Sequence, residues 1–581
     1  MPIWRPVPQV SSKLCVSRRS RGGVGTEPDT EGELMAKNIV LCSDGTGNKG
    51  GSGSNTNVFK IYNAVRINDL DLREERRQVV FYDNGVGTSK SKLGKVLGGA
   101  FGWGFRQNVR DLYEFLGRHY THGDHIYIFG FSRGAATVRA FAGMLQHCGL
   151  VIKNPLDKQD KLYRKEDVLD EKPFQDRIDA AMQHYVDSGG KPSVAGFFKA
   201  LGRLFKNAPK FKNEPEVEIE FMGVWDTVAA LGAPQIPILD AVLNLLRRHQ
   251  FYNYEPASCV KNVYHALAVD DERGTFWPLV WNEAEFTGET IEQVWFSGMH
   301  ANIGGGYPRD ELANVTLDWM IEKLNEHGEA LRARLRASPG DTSAPAGLLL
   351  KSTAMADAKA DANPHGKLHD SRGGFKIFYR YQPRPIQDRC VEKKAKIRLH
   401  TSVLDRMEMR TAGYTPGNLP EPGQLEVVFT GPENFPSSPK AEQRAEYTRV
   451  RAGLARLRKS RIMLYWTFLL STATLVGASG FAWLFRPELS PPDCCSQSAL
   501  SANETWRVMH WWLAHLEDAL RYVLPTFFDN AITYLVIQHP ARLLVLVVYG
   551  FALLLLRMLF QSAMETREEH ARIEMLAALG R

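Results

Sequence analysis

The sequence predicts an α/β fold, an α/β-hydrolase-like, mostly parallel sheet with helices on both faces and helical insertions, followed by a C-terminal transmembrane helical hairpin. Three observations predict it. Short apolar runs alternate with helix-period segments, the pattern of βαβ units. One turn, Gly130-Phe131-Ser132-Arg133-Gly134, joins the strand-like run 125–129 to the helix-like run 135–141, the context in which G-x-S-x-G forms a nucleophile elbow. Far downstream, 462–485 carries no charged residue, which is long enough to cross a bilayer at about 20 residues per crossing.

The elements follow in order. Asn38 to Cys42 reads as a strand closed by the glycine-rich turn Ser43-Asp44-Gly45-Thr46-Gly47-Asn48, and a helical pattern starts at Val58. Val79 to Tyr82 is a second strand, ending in Asp83-Asn84-Gly85. The run 98–104 reads as a flexible glycine loop before a helix from Gln107 to Tyr120. After the serine elbow, Val217 to Trp225 and Ile291 to Phe296 read as further strands, and 264–273 as a helix with a polar end. An insertion of roughly 152–215 contains a basic amphipathic segment at 194–211, suited to a lid or a membrane surface, and 236–248 repeats that theme more weakly. The stretch 367–419 shows little regular period.

The length of 581 residues exceeds one compact core. The expected organisation is an N-terminal extension over 1–36, rich in Arg, Ser and Gly and lacking the apolar core of a secretory signal, with Met35 as a candidate start. A catalytic domain follows over 37–430, then a linker and basic juxtamembrane helix over 431–461, a membrane hairpin with an interfacial loop over 462–560, and a tail over 561–581. The second crossing is the run 543–560, interrupted by Arg557. Arg456, Arg458, Lys459 and Arg461 flank the first crossing. By the positive-inside rule they predict a multi-pass bacterial inner-membrane protein with the catalytic domain and both termini cytoplasmic. A net charge of +7 is mild for this length and gives no reason to expect nucleic acid. Five of the seven cysteines are scattered, without zinc-site spacing, and read as reduced thiols; only Cys494 and Cys495 are adjacent.

A serine nucleophile needs a base, and the base an orienting acid. In α/β-hydrolases they follow in the order Ser, Asp, His, each just past a strand. Asp226 follows Trp225, and His300 follows the strand ending at Phe296, with Gly304-Gly305-Gly306 beyond it. The expected triad is Ser132, Asp226 and His300. Rival positions are Asp83 for the acid, and His265 with Asp270, or His400, which no clear strand precedes. The oxyanion hole is expected from the backbone N–H of Arg133 and the loop after the first strand, Gly45 and Thr46, with Asp44 as a cap or a hydrogen bond to that loop. No cofactor or metal is called for.

The stretches Ser43-Asp44-Gly45-Thr46-Gly47-Asn48, Gly130-Phe131-Ser132-Arg133-Gly134-Ala135, Gly223-Val224-Trp225-Asp226-Thr227-Val228 and His300-Ala301-Asn302-Ile303-Gly304-Gly305-Gly306-Tyr307 together resemble one family. It is the DUF2235 family of α/β-hydrolases, which includes the Tle1-type phospholipase effectors of type VI secretion. His400-Thr401-Ser402-Val403 and 414–420 resemble its later signatures, and Ser297 and Asn302 stand where that family often has Pro and Asp. The resemblance covers about 37–420. It implies a hydrolase, with Ser132, Asp226 and His300 at the matching positions and a lipid or other ester as substrate. A membrane-anchored serine hydrolase acting on a phospholipid acyl ester is the leading expectation. The alternatives are a hydrolase of soluble esters or thioesters and a catalytically weak membrane interaction module.

Overall fold

The computed structural model describes residues 36–45, 50–51, 54–67, 78–84, 99–154, 169–188, 214–228, 254–337, 347–369, 382–428, 448–460 and 540–579, with a few single positions between 445 and 515. The chain divides into two compact units, Met1–Lys440 with Leu576–Arg581, and Ala441–Met575.

The first unit is built on an eight-stranded sheet in the order β2-β1-β3-β4-β5-β6-β7-β8. The strands are β1 Asn38–Ser43, β2 Gln78–Asp83, β3 His125–Phe131, β4 Ile219–Trp225, β5 Val260–Ala268, β6 Thr290–Phe296, β7 Ile397–His400 and β8 Leu425–Val428. Every pairing is parallel. The helices are α1 Asn57–Ala64, α2 Gly99–His119, α3 Arg133–Cys148, α4 Glu171–Ser188, α5 His300–Gly304, α6 Glu311–Ala337, α7 Ser352–Asp361, α8 Ile386–Glu392 and α9 Thr401–Glu408.

The period of two along each strand sends neighbouring side chains to opposite cores. Ile39, Leu41, Ile126 and Ile128 join Val109, Leu112, Ala136, Phe141 and Phe174 on the face covered by α2, α3 and α4. Val40, Cys42, Tyr127 and Phe129 join Val58, Ile61, Leu317 and Met320 on the face covered by α1, α6 and α7. Both faces being buried, β1, β3 and β4 are mostly apolar, as parallel strands under two helical layers tend to be. Chain order reverses between β1 and β3, so their carboxyl ends flank the crevice where open α/β sheets place ligands.

Several sequence readings are corrected here. The stretch 264–273 is not a helix, because Val260–Ala268 is β5, a central strand between β4 and β6. The glycine run at 98–104 is not a loop, because α2 starts at Gly99. The stretch 367–419 contains α8, β7 and α9, so a strand does precede His400. The extension over 1–35, the segments 194–211 and 236–248 and the vicinal cysteines lie outside the described residues.

The second unit contains a helical segment over 448–460 and the long helix α10, Pro540–Ala578. The two approach closely at Gly453, where a Cβ would lie 2.3 Å from Arg567 Nη1. The multi-pass inner-membrane placement is overturned here: among the described residues no helix is long and apolar enough to cross a membrane. The physical reason is visible in α10. Its uncharged stretch over 543–556 has 14 residues, bracketed by Arg542 and Arg557. It rises about 21 Å, against about 30 Å of hydrocarbon, and from Glu565 onward the helix is densely charged. Most of the first expected crossing, 462–485, lies outside the described residues.

Candidate active site

Ser132 stands between β3 and α3 with φ 58° and ψ −121°, a conformation that non-glycine residues rarely hold. Both glycines of the motif are there for space. A Cβ on Gly130 would meet Ala135 Cα at 2.7 Å, and one on Gly134 would meet the carbonyl oxygen of Ser43 at 2.1 Å. Only a backbone without side chains lets α3 start so close to β3 and β1. The turn is held by Ser132 N–H donating to the Trp225 carbonyl at 3.0 Å and Ala136 N–H donating to the Ser132 carbonyl at 3.3 Å.

Asp226 lies immediately past β4, fully buried, with φ 42°. His300 opens α5 past the end of β6. The structure brings the three residues together: Ser132 Oγ is 2.7 Å from His300 Nε2, and His300 Nδ1 is 2.5 Å from Asp226 Oδ2. An ionised carboxylate only accepts, so Nδ1 carries the imidazole proton and Nε2 is left to accept from the serine. The His300 ring packs between Phe131, with centroids 4.8 Å apart, and Phe276, edge-on at 5.2 Å. Gly304 permits the first contact, since a Cβ there would sit 2.0 Å from the Phe131 ring.

Arg384 completes the arrangement and escaped the sequence reading. Its Nη1 donates to Asp226 Oδ1 at 2.6 Å and its Nη2 to Oδ2 at 2.7 Å, with the side chains of both residues buried. Burial disfavours the charged form of Asp226, but the adjacent guanidinium and its hydrogen bonds outweigh it and hold the carboxyl well below the usual range. The available signal was slight: Arg384 is set between Pro383 and Pro385, a rigid extended frame. A second buried pair was also missed. Asp271 accepts from Arg273 Nη2 at 2.6 Å and from the His300 backbone N–H at 3.2 Å. Arg273 in turn lies 3.5 Å over the Phe276 ring.

The rival residues sit elsewhere. His265 is fully buried in β5, where its Nε2 accepts from Thr227 N–H at 3.1 Å. Burial, with Arg139 nearby, pushes it down to about 3, so it stays neutral and braces the loop that carries Asp226. Asp270 accepts from Gly298 N–H at 2.6 Å and from Tyr414 OH at 3.0 Å, and burial raises it to about 7. Asp83 accepts from Ser43 Oγ at 3.0 Å, and burial raises it to about 8. His400 ends β7 with its Nδ1 accepting from Ser402 N–H at 3.2 Å and its ring stacked on Phe296; burial lowers it to about 3.

Of the expected oxyanion donors, Arg133 is the first residue of α3. Gly45 is buried at the end of β1, and its N–H donates to Asp44 Oδ1 at 2.6 Å. Asp44 Oδ2 accepts from both Thr56 Oγ1 and Tyr82 OH at 2.5 Å, which ties the loop after β1 to the start of α1. Thr46 lies outside the described residues. Asn302 Oδ1 accepts from Met299 N–H at 3.3 Å and His369 N–H at 3.2 Å while Nδ2 donates to the Lys367 carbonyl at 3.1 Å, so an amide serves here where a carboxylate could not donate.

Fold and geometry define the class: an α/β protein with a serine, a histidine and an aspartate hydrogen-bonded in series at the carboxyl edge of a parallel sheet. Residues 37–323 match the family model of the T6SS phospholipase effector Tle1-like catalytic domain. An uncharacterized protein of Saccharomyces cerevisiae, YEL023C, is 28% identical over 255 residues, covering 41% of this chain and 32% of its own length. The chain therefore spans about a third of the curated relative it matches. Two solved structures are similar. One is the Tle1 effector bound to the VgrG spike from the type 6 secretion system, at 17% identity and TM-score 0.28, covering 52% of this chain and 56% of that one. The other is an uncharacterized protein from Pseudomonas aeruginosa, at 16% identity and TM-score 0.31, covering 77% and 63%.

Proposed function

We propose that the protein is a serine hydrolase that cleaves a carboxylic ester, with a phospholipid acyl ester as its substrate. The observation that carries this reading is the unbroken chain from Ser132 Oγ to His300 Nε2 and from His300 Nδ1 to Asp226. The choice of lipid rests on the family model that residues 37–323 match.

In this reading Ser132 Oγ attacks the acyl carbonyl carbon while His300 Nε2 takes its proton. Asp226 keeps the imidazole in the required tautomer and faces the imidazolium that forms. The tetrahedral oxyanion lies against the N–H of Arg133 and a donor from the loop after β1, Gly45 or Thr46. Use of Gly45 requires its present bond to Asp44 to open as substrate arrives. His300 then protonates the leaving alcohol oxygen, and the ester bond breaks to leave an acyl-serine. A water, deprotonated by His300, attacks that acyl group and releases the fatty acid and the free serine.

The test is fatty-acid release from phosphatidylcholine and phosphatidylethanolamine vesicles by the purified full chain and by Ser132→Ala. Release by the wild type and a loss of about 10³-fold or more in the variant is expected. Equal release by both proteins removes the assignment. Turnover confined to short soluble esters removes the phospholipid and keeps the hydrolase.

A further inference from the structure

We propose that Arg384 is a positioning residue of this site, a fixed fork that sets the plane of the Asp226 carboxylate so that one oxygen faces His300 Nδ1. The inference rests on the hydrolase reading above and goes beyond it, since Arg384 lies outside the family match over 37–323.

The loop holding Asp226 would not fix that carboxylate by itself, because rotation about the side chain would swing either oxygen toward the imidazole. Arg384 removes the freedom. Its two Nη atoms grip the two oxygens separately, a planar match that a lysine could not make. The Ala268 N–H adds a third donor, to Oδ1 at 3.0 Å. The fork is itself anchored, with Nη1 also donating to the Ala268 carbonyl at 2.7 Å and Nη2 to the Phe276 carbonyl at 2.6 Å. Its backbone is pinned as well. Asn418 Nδ2 donates to the Arg384 carbonyl at 3.2 Å and to the Val269 carbonyl at 2.8 Å, and Gln382 N–H donates to the Glu272 carbonyl at 2.7 Å. His300 is thus held through its ring by Asp226 with Arg384 and through its backbone by Asp271 with Arg273.

The charged and titratable groups around Asp226 are Arg384, His300, Asp271 with Arg273, Asp270 and the neutral His265. Of these, Arg384 is the principal influence that keeps the buried Asp226 ionised. Without it, burial acts unopposed by a cation, and Asp226 takes up a proton at a higher pH than in the wild type.

The experiment measures kcat, KM and the pH–rate profile of the full chain on a short p-nitrophenyl ester, for wild type, Ser132→Ala, Arg384→Ala and Arg384→Lys. Arg384→Ala is expected to lower kcat by about 100-fold, the scale of a misplaced catalytic geometry, with KM within about threefold and the acidic fall-off of the profile moved to higher pH. Millimolar methylguanidinium is expected to restore at least a tenth of the lost kcat, against a sodium chloride control of equal ionic strength. A folded Arg384→Ala protein with near-wild-type kcat, or one whose loss is unchanged by methylguanidinium and whose pH profile is unmoved, overturns the proposal. If Arg384→Ala does not fold, Arg384→Lys decides: a lower kcat at unchanged KM supports the fork, and wild-type kcat overturns it. Absence of Ser132-dependent turnover in the wild type sinks the hydrolase reading and this inference together. Ser132-dependent turnover at the wild-type kcat in the Arg384 variants sinks only the inference.

Discussion

At the scale of single residues, Asp226 carries the most consequence. It is buried, sits at positive φ, and faces one cation and one neutral ring. Asp226→Asn puts an amide donor against either a guanidinium N–H or the imidazole N–H. The expected result is a fall in kcat of about 10³–10⁴-fold on any ester the wild type cleaves. A second expected result is a loss of about 3–5 kcal/mol in denaturant unfolding, because the buried Arg384 guanidinium loses the carboxylate it grips. The carboxyl titrates lower in the folded state than in the unfolded chain, where about 3.9 is ordinary. Its contribution to stability is therefore whole above about pH 4 and is lost as pH falls through the folded value. Asp83 has the opposite sign. Burial raises it to about 8, so the folded state holds a proton that the unfolded chain has released, and stability declines as pH rises from about 4 to about 8. Asp83→Asn, whose amide oxygen can still accept from Ser43, is expected to unfold at least about 3 °C above wild type at pH 8.5 and level with it at pH 4. Equal melting temperatures at both pH values would contradict the assignment.

At the scale of elements, the serine elbow is a packing problem solved by glycine. Gly134→Ala forces a methyl into the Ser43 carbonyl and must push α3 away from β1. The expected cost is about 2–4 kcal/mol by chemical unfolding, with fluorophosphonate labelling of Ser132 slowed as the hydroxyl moves. Labelling at the wild-type rate would show that the helix start has room to give. The strands around the elbow were legible because each ends in a turn rich in Gly, Asp or Asn. The central strand β5 was not. Tyr264-His265-Ala266-Leu267-Ala268 carries good helix formers and lacks the alternation of a half-exposed strand, because both of its faces are covered. The start of α2 was hidden in the same way, since glycine is a poor helix former and tertiary contacts override its preference. Arg384 was hidden by distance: it lies 158 residues from Asp226, and no local pattern encodes a contact made only by folding.

At the scale of the whole molecule, the order Ser, Asp, His and the strand ends that carry them could be read from the sequence, while the strands β7 and β8, short and without a clear period, could not. The sheet continues through β7 and β8, beyond residue 323. A chain ending at residue 337 lacks both strands and leaves β6 with an open edge of unpaired backbone groups. It is expected to accumulate as aggregate in expression trials, with little soluble yield compared with the full chain. A soluble, cooperatively unfolding product from that truncation would contradict the expectation. The second crossing of the expected hairpin lacks support because the run 543–560 includes Arg557, and the uncharged part of α10 before it is shorter than the hydrocarbon thickness.

From β3 onward, position in the sheet follows position in the chain, each new strand lying outside the one before it. During synthesis every strand from β4 to β8 therefore emerges to find its template edge already laid down, so the sheet can grow outward as it leaves the ribosome. Ser132 is positioned early, just after β3, and waits for His300, past the end of β6, and for Arg384, just before α8. A nascent chain on this schedule exposes Ser132 long before His300 and Arg384 have emerged, and the hydrogen-bonded series closes only when the segment before β7 is in place.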